Sequence, residues 1–158
     1  MGSIQLCETT GKGKAIVKDL MEMYQMDEER WRQENIRLLQ EGRLNEIDAT
    51  NIAMCLAEMG KSDEREFKRY LHLILRHMLL LDHSGEERTF RHWRVELRAF
   101  RNELRDFTTK NWLNKYFTHI GKAFNYALQD AKDECPQGRY PEENPYTLID
   151  VYGFDPTE

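Results

Sequence analysis

Proline is scarce in this chain. Its four prolines, Pro136, Pro141, Pro145 and Pro156, all fall in the last quarter, so residues 14–134 carry none of the residue that most reliably breaks a helix. No segment of any length alternates apolar and polar residues, which leaves no strand to expect. Cysteine is also sparse. Cys7, Cys55 and Cys135 are far apart, odd in number and without a CxxC pair, which argues against a disulfide framework and a thiolate zinc site and points to a reducing cytoplasm. No apolar run approaches the roughly 18 residues of a membrane span. The opening MGSIQLCETTGKGK lacks the apolar centre of a signal peptide, and residues 1–13 are expected to form a disordered tail. No paired glycines follow a strand, so there is no phosphate loop, and no GxSxG or Cys–His pair stands in a catalytic context. The net charge of −5 argues against a general nucleic-acid binder.

What the chain does contain is helical periodicity. With 158 residues, 40% of them apolar and 32% charged, residues 14–158 are expected to form a single all-α bundle of about five to six helices around one core, with an irregular C-terminal tail. Ile16, Val17, Leu20, Met21 and Tyr24 make one apolar stripe. A second helix begins near Asp27, turns Trp31, Leu38 and Leu39 inward and stops at Gly42. A third is capped by Asp48, turns Ile52, Leu56 and Met59 inward and ends at Gly60. Ser62 caps a longer helix to about His83, and the capping-box spacing of Ser84 and Glu87 opens the next. There Phe90, Trp93, Leu97, Phe100, Leu104 and Phe107 repeat at steps of three and four, a packing seam. Helices 62–83 and 86–107 are expected to pair antiparallel across Ser84-Gly85. A last long helix spans about 109–132, with Trp112, Tyr116, Ile120, Phe124 and Leu128 inward and Gly121 either weakening it or admitting a neighbour. In the tail, Pro145 would open a short helix capped by Asn144. Tyr140, Tyr146, Leu148 and Tyr152 would fasten the tail to the bundle.

The stretch HLILRHMLLLDHSGEERTFRHWR, from His72 to Arg94, holds the residues with chemistry to offer. His72 and His77 are five apart, about 140° around a helix, so they cannot share a metal ion. His77 falls on the apolar side, where a buried histidine bonded to another helix is expected, and no metal or cofactor site is predicted. Arg76 and His83 are spaced as in the arginine–histidine motif of HEPN-type ribonucleases. In such an enzyme the arginine would steady phosphate charge and the histidine would move a proton. Arg91, Arg94, Arg98, Arg101 and Arg105 keep the rhythm of the seam one position offset. Residues 61–105 hold 11 basic against 8 acidic residues, a net of +3, leaving −8 for the rest of the chain. This stripe is either neutralised by acids of neighbouring helices, with Asp48, Glu58 and the first-helix acids as partners, or it is a docking face for an acidic protein or RNA.

Asp48, Asn51-Ile52-Ala53, Leu56, Gly60-Lys61-Ser62, Arg65, His77, Leu79-Leu80, Trp93, Arg101 and the ending Glu143-Asn144-Pro145-Tyr146-Thr147-Leu148 resemble, in order and spacing, the bacterial family catalogued as domain of unknown function twenty-nine. The resemblance covers roughly residues 24–150. It implies an all-helical domain of the bacterial cytoplasm and no activity, since the family has none securely assigned. Two departures stand out. The family pattern often follows Asn-Ile-Ala with two acidic residues. Met54 and Cys55 stand there in this chain, which puts any carboxylate–histidine metal site in doubt. His83 lies outside the pattern, which lowers the ribonuclease reading. The expectation is a non-enzymatic module that binds another macromolecule, a protein in the first place, with RNA or a second copy of the chain as other partners and no membrane. The alternative is an RNA-directed HEPN-like ribonuclease using Arg76 and His83.

Overall fold

The computed structural model describes residues 11–158, and every regular element among them is helical. In chain order these are α1 (Gly11–Met26), α2 (Glu28–Gln40), α3 (Ala49–His83), a single 3-10 turn (Glu87–Thr89), α4 (Phe90–Leu104), α5 (Lys110–Glu134) and α6 (Leu148–Tyr152). The expected tail at 1–13 lies outside the described residues up to position 10, and from Gly11 onward the chain is already helix. The described residues divide into two compact units, one ending at Lys61 and one running from Ser62 to Glu158. Each has its own apolar cluster, so the single core expected from the sequence is replaced by two.

The first unit holds α1, α2 and the opening turns of α3. Asp27 caps α2 by accepting the Arg30 N–H at 3.0 Å. Gly42, at φ 70, ends it. There the N–H of Arg43 reaches the carbonyl of Leu38 and that of Gly42 reaches Leu39, the paired closure that needs a left-handed residue at this place. Leu20, Trp31 and Leu38 are buried together, with Ile16, Tyr24, Ile52 and Cys55 against them. Several residues read as inward are not. Met21 and Leu39 are exposed, as are Leu56 and Met59. The covered face of α3 in this unit is Asp48, Asn51, Ile52 and Cys55. Leu56 is turned about 100° from Cys55, and Met59 lies a turn beyond the last α3 residue packed in the cluster.

Gly60 and Ser62, read as the end of one helix and the cap of the next, both lie inside the 35-residue α3. Glycine costs a helix interior only about 0.5–1 kcal/mol, and the residues on both sides propagate the helix. Nothing lies within 4 Å of a Cβ built on Gly60 or Gly121, so neither glycine admits a neighbour.

The second unit is built on residues 62–83 of α3. Phe67, Leu71, Ile74, Leu75, Leu79 and Leu80 are fully buried. α4 packs antiparallel to this segment, as expected. The His77 ring meets Phe100 with centroids 5.3 Å apart, while Phe67 meets Phe107 at 5.5 Å. Trp93 is 3% exposed, and Phe90 and Phe100 are half-buried. α5 runs parallel to α3. Glu64 of α3 binds Lys115 and His119 near the start of α5, and Arg76 of α3 pairs with Glu134 at its end.

Ser84 is buried and accepts the Glu86 N–H at 3.1 Å, forming a tight turn instead of a capping box. The following 3-10 turn moves the start of α4 to Phe90. The tail is fastened by the tyrosines predicted for it. Tyr140 donates to the carbonyls of Ala131 and Cys135, Tyr146 to Asp82, and Tyr152 to the carbonyl of Phe107. Its helix is capped by Thr147 with Asp150 in a reciprocal box. Asn144 instead accepts the Tyr146 N–H and holds the turn before it.

Gly60→Ala and Gly121→Ala should each stabilise the protein by about 0.5–1 kcal/mol, since both sit in helix interiors with open space at Cβ. Urea titrations of the two variants and the wild type check this.

Candidate functional site

The first unit centres on one buried carboxylate. Asp48 is 1% exposed. Its Oδ1 accepts the Asn51 N–H at 3.2 Å, the expected cap of α3. Its Oδ2 accepts the indole N–H of Trp31 at 3.1 Å and the Asn51 side-chain amide at 2.7 Å. Its own N–H donates to Asn35, whose amide in turn donates to the carbonyl of Trp31. Asp48 is therefore engaged in holding α2 to the start of α3. The role considered for it as a partner of the arginine stripe is not seen.

His77 is 3% exposed and bonded at both ring nitrogens. Nδ1 lies 2.7 Å from the Leu73 carbonyl and Nε2 lies 2.6 Å from Glu96 of α4. A carbonyl can only accept, so Nδ1 donates to Leu73. His92, four residues before Glu96, approaches the same carboxylate at 3.4 Å. This is the buried, cross-helix histidine expected from its place on the apolar face. Among the described residues, no three His, Cys, Asp or Glu side chains gather to hold a metal ion. His72 is separately engaged, with Asp130 at 2.7 Å.

Arg76 and His83 face the end of α5. Arg76 pairs with Glu134, and the His83 ring lies 6.2 Å from Tyr140. The Arg76 charge is thus met by a carboxylate.

The arginine stripe divides into two kinds of residue. Arg101 is half-buried and structural. It donates through Nε to the Val151 carbonyl at 3.2 Å and through a terminal nitrogen to the carbonyl of Asp150, placing its charge at the C-terminal end of α6. Gly153, at φ 78, lets the chain turn there, and a Cβ on it would stand 3.0 Å from Arg101. Burial lowers the Arg101 guanidinium from its ordinary value, against the opposing pull of Asp150 and Asp82. Arg91, Arg94, Arg98 and Arg105 are exposed, and none makes an ion pair with a described residue. Arg94 leans over Phe90 at 5.9 Å and Arg105 over Phe154 at 5.4 Å. Within the second unit no carboxylate bridges to these four arginines, and Asp48, Glu58 and the α1 acids considered as partners belong to the first unit. Beside it lies a groove of about 380 Å³ that Arg94, Arg98, Arg101 and Arg105 line with Leu97 and Tyr152.

A second basic groove lies between α3 and α5, where Arg65, Lys68, Arg69 and Lys122 surround Tyr126. It went unnoticed in the sequence because its residues are divided between segments some fifty positions apart. The run Arg65, Lys68 and Arg69 at i, i+3 and i+4 of α3 was the available signal.

Two outcomes are expected from this geometry. Glu96→Ala leaves the His77 Nε2 buried without a partner and should cost about 1–3 kcal/mol, read by urea unfolding. The Asp150 carboxyl is held below its ordinary value of 3.8, first by the Thr147 N–H, then by the Thr147 hydroxyl. A depressed carboxylate stabilises the fold above its ordinary value and loses that contribution as pH falls below it. Hydrogen exchange at Val151 and Gly153, corrected for intrinsic rates, should therefore quicken below about pH 4.

No helix among the described residues is long and apolar enough to cross a membrane. No curated protein and no solved structure matches this chain. The sequence pattern catalogued as domain of unknown function DUF29 matches residues 23–154, taking in the Asp48 network, the His77–Glu96 pair and the Arg101 anchor, and the chain belongs to that family.

Proposed function

We propose that this protein is a non-enzymatic helical module that docks an acidic segment of another protein against the α4 face. The observation that carries this reading is the row of exposed arginines, Arg91, Arg94, Arg98 and Arg105, with no carboxylate partner among the described residues. An unpaired row of like charge costs self-repulsion that an acidic partner relieves. The guanidinium fork suits bidentate pairing with carboxylates, and Arg94, Arg98 and Arg105 line the adjoining groove. The observation weighing against the ribonuclease alternative is the pairing of Arg76 with Glu134.

Arg101 is excluded from the test because its reversal would unfasten α6. Arg91→Glu, Arg94→Glu and Arg98→Glu combined should leave the helical content and melting temperature near wild type, since exposed charges of this kind contribute about 0–1 kcal/mol each. The triple variant should lose binding to a poly-glutamate peptide. Against proteins from the cells that make the chain, it should lose the partner that the wild type retains at low salt and releases at moderate salt. Equal capture by wild type and variant across both salt conditions overturns the docking face.

A further inference from the structure

The second basic groove is built differently from the α4 stripe, and on another face. α3 contributes Arg65, Lys68, Arg69 and His72 to it. α5 contributes His119, Lys122, Ala123 and Tyr126. Each set follows the i, i+3, i+4, i+7 pattern of one helix face. Because the two helices run parallel, the faces lie alongside each other over about 10 Å of helix. Ala123 sits between Lys122 and Tyr126 with only a methyl group to fill the space, and the groove has a volume of about 470 Å³. That volume is within the range of small-ligand sites.

No carboxylate lines this cavity. The nearby acids are already engaged. Glu64 binds Lys115 at 2.9 Å, His119 at 3.1 Å and Lys68 at 3.5 Å, and Asp130 binds His72. Arg65 and Lys122 make no ion pair with any described residue. Arg69 reaches Glu66 only at 3.9 Å. The groove therefore has an excess of positive charge that its own walls do not cancel. It also has an aromatic ring where such rings are usually covered. Tyr126 is 56% exposed, with the Lys122 ammonium 5.8 Å from its centroid and the His72 ring at 6.5 Å.

Together these features favour an anion with a flat apolar body. Arginine and lysine side chains lining a short groove suit phosphate oxygens, and an exposed ring beside them suits stacking by a base. We infer that the α3–α5 groove is a binding site for a nucleoside phosphate, with Arg65, Lys68, Arg69 and Lys122 holding the phosphates and Tyr126 stacking on the base. The same chemistry is presented by a free nucleotide and by the 5′-phosphorylated end of an RNA strand.

Calorimetric titration of the full chain at low salt tests this with ADP, adenosine, tripolyphosphate and a 5′-phosphorylated hexaribonucleotide. ADP should bind at one site and adenosine should not. Arg65→Glu combined with Lys122→Glu should weaken ADP by about tenfold or more, the scale of losing charged hydrogen bonds. Lys110→Glu combined with Lys132→Glu, on the same helix outside the groove, should bind ADP as wild type does. Tyr126→Ala should weaken ADP and leave tripolyphosphate unchanged. Tighter binding of the hexaribonucleotide than of ADP identifies a strand end as the source, and the reverse order identifies a free nucleotide. The proposal is overturned if neither ADP nor the hexaribonucleotide binds at millimolar concentration. It is equally overturned if the Arg65/Lys122 reversal binds ADP like wild type, or if Tyr126→Ala leaves ADP affinity intact.

Discussion

The second unit depends on the burial of α3 from all sides near its C-terminal end. His77, Met78, Leu79 and Leu80 are consecutive and all buried. Four successive positions on a helix point in four directions about 100° apart, so no single neighbouring helix can cover them. α4 covers the face that presents His77, and α5 covers another through the row from His72 to Arg76. The returning tail supplies the remaining cover. That requirement explains why a proline-rich, irregular segment packs against the helices. Its tyrosines bury their rings and direct their hydroxyls to carbonyls or to Asp82, so no polar atom is lost to the interior. Desolvation then raises the phenol of Tyr140 to about 12 and that of Tyr116 to about 12, keeping both neutral at any physiological pH.

Polar groups set the register that apolar packing leaves open. Hydrophobic contact is non-directional, so packing alone would tolerate α4 sliding along α3. The Nε2 of His77 must meet Glu96, because an orphaned buried nitrogen costs more than the contact returns. In the first unit Asp48 plays the same part with four groups from α2 and α3. Arg101 does so for α6, through two carbonyls at the end of a five-residue helix that could not persist in isolation. Three of the residues that carry the family resemblance, Asp48, His77 and Arg101, thus act as fixed points of the fold. A charged or ionisable residue in a sequence pattern is easily taken for a sign of chemistry. Here each of the three is held by neighbours that leave it no free hand.

Charge is what the fold leaves over. The chain is acidic in total, and on α2 its carboxylates pair within the helix that carries them. In α2, Arg32 meets Glu28 and Glu29, and Arg37 meets Glu34 and Glu41. Two places stand as exceptions to such local pairing on the basic side, the exposed arginines of α4 and the α3–α5 groove. These two exceptions differ in kind. The α4 row follows one helix beside an open groove and suits an extended acidic segment, whereas the α3–α5 groove carries an exposed aromatic ring and is of small-ligand size.

The sequence by itself determined the helical class, the antiparallel pairing of α3 with α4, the seam from Phe90 to Phe107, the Asp27 and Asp48 caps and the burial of His77. The pairing follows from the short connection at Ser84-Gly85, and the others from residue types and spacing along one helix, a local property that survives whatever the neighbours do. It misplaced the boundary at Gly60-Lys61-Ser62. Glycine followed by serine carries the local signature of a stop and a start, but the modest cost of a mid-helix glycine is outweighed by continuous hydrogen bonding on both sides. It also assigned Leu56 and Met59 to a core, because periodicity identifies a face and does not say how far a neighbour extends along it. Only the tertiary structure decided which of the five stripe arginines is an anchor. Arg101 differs from Arg98 by meeting a tail fifty residues away, and nothing within α4 distinguishes the two. The α3–α5 groove is of the same kind. Its cations are ordinary surface residues on each helix taken alone, and become a concentrated field only because the parallel packing of α3 and α5 brings two distant basic faces side by side.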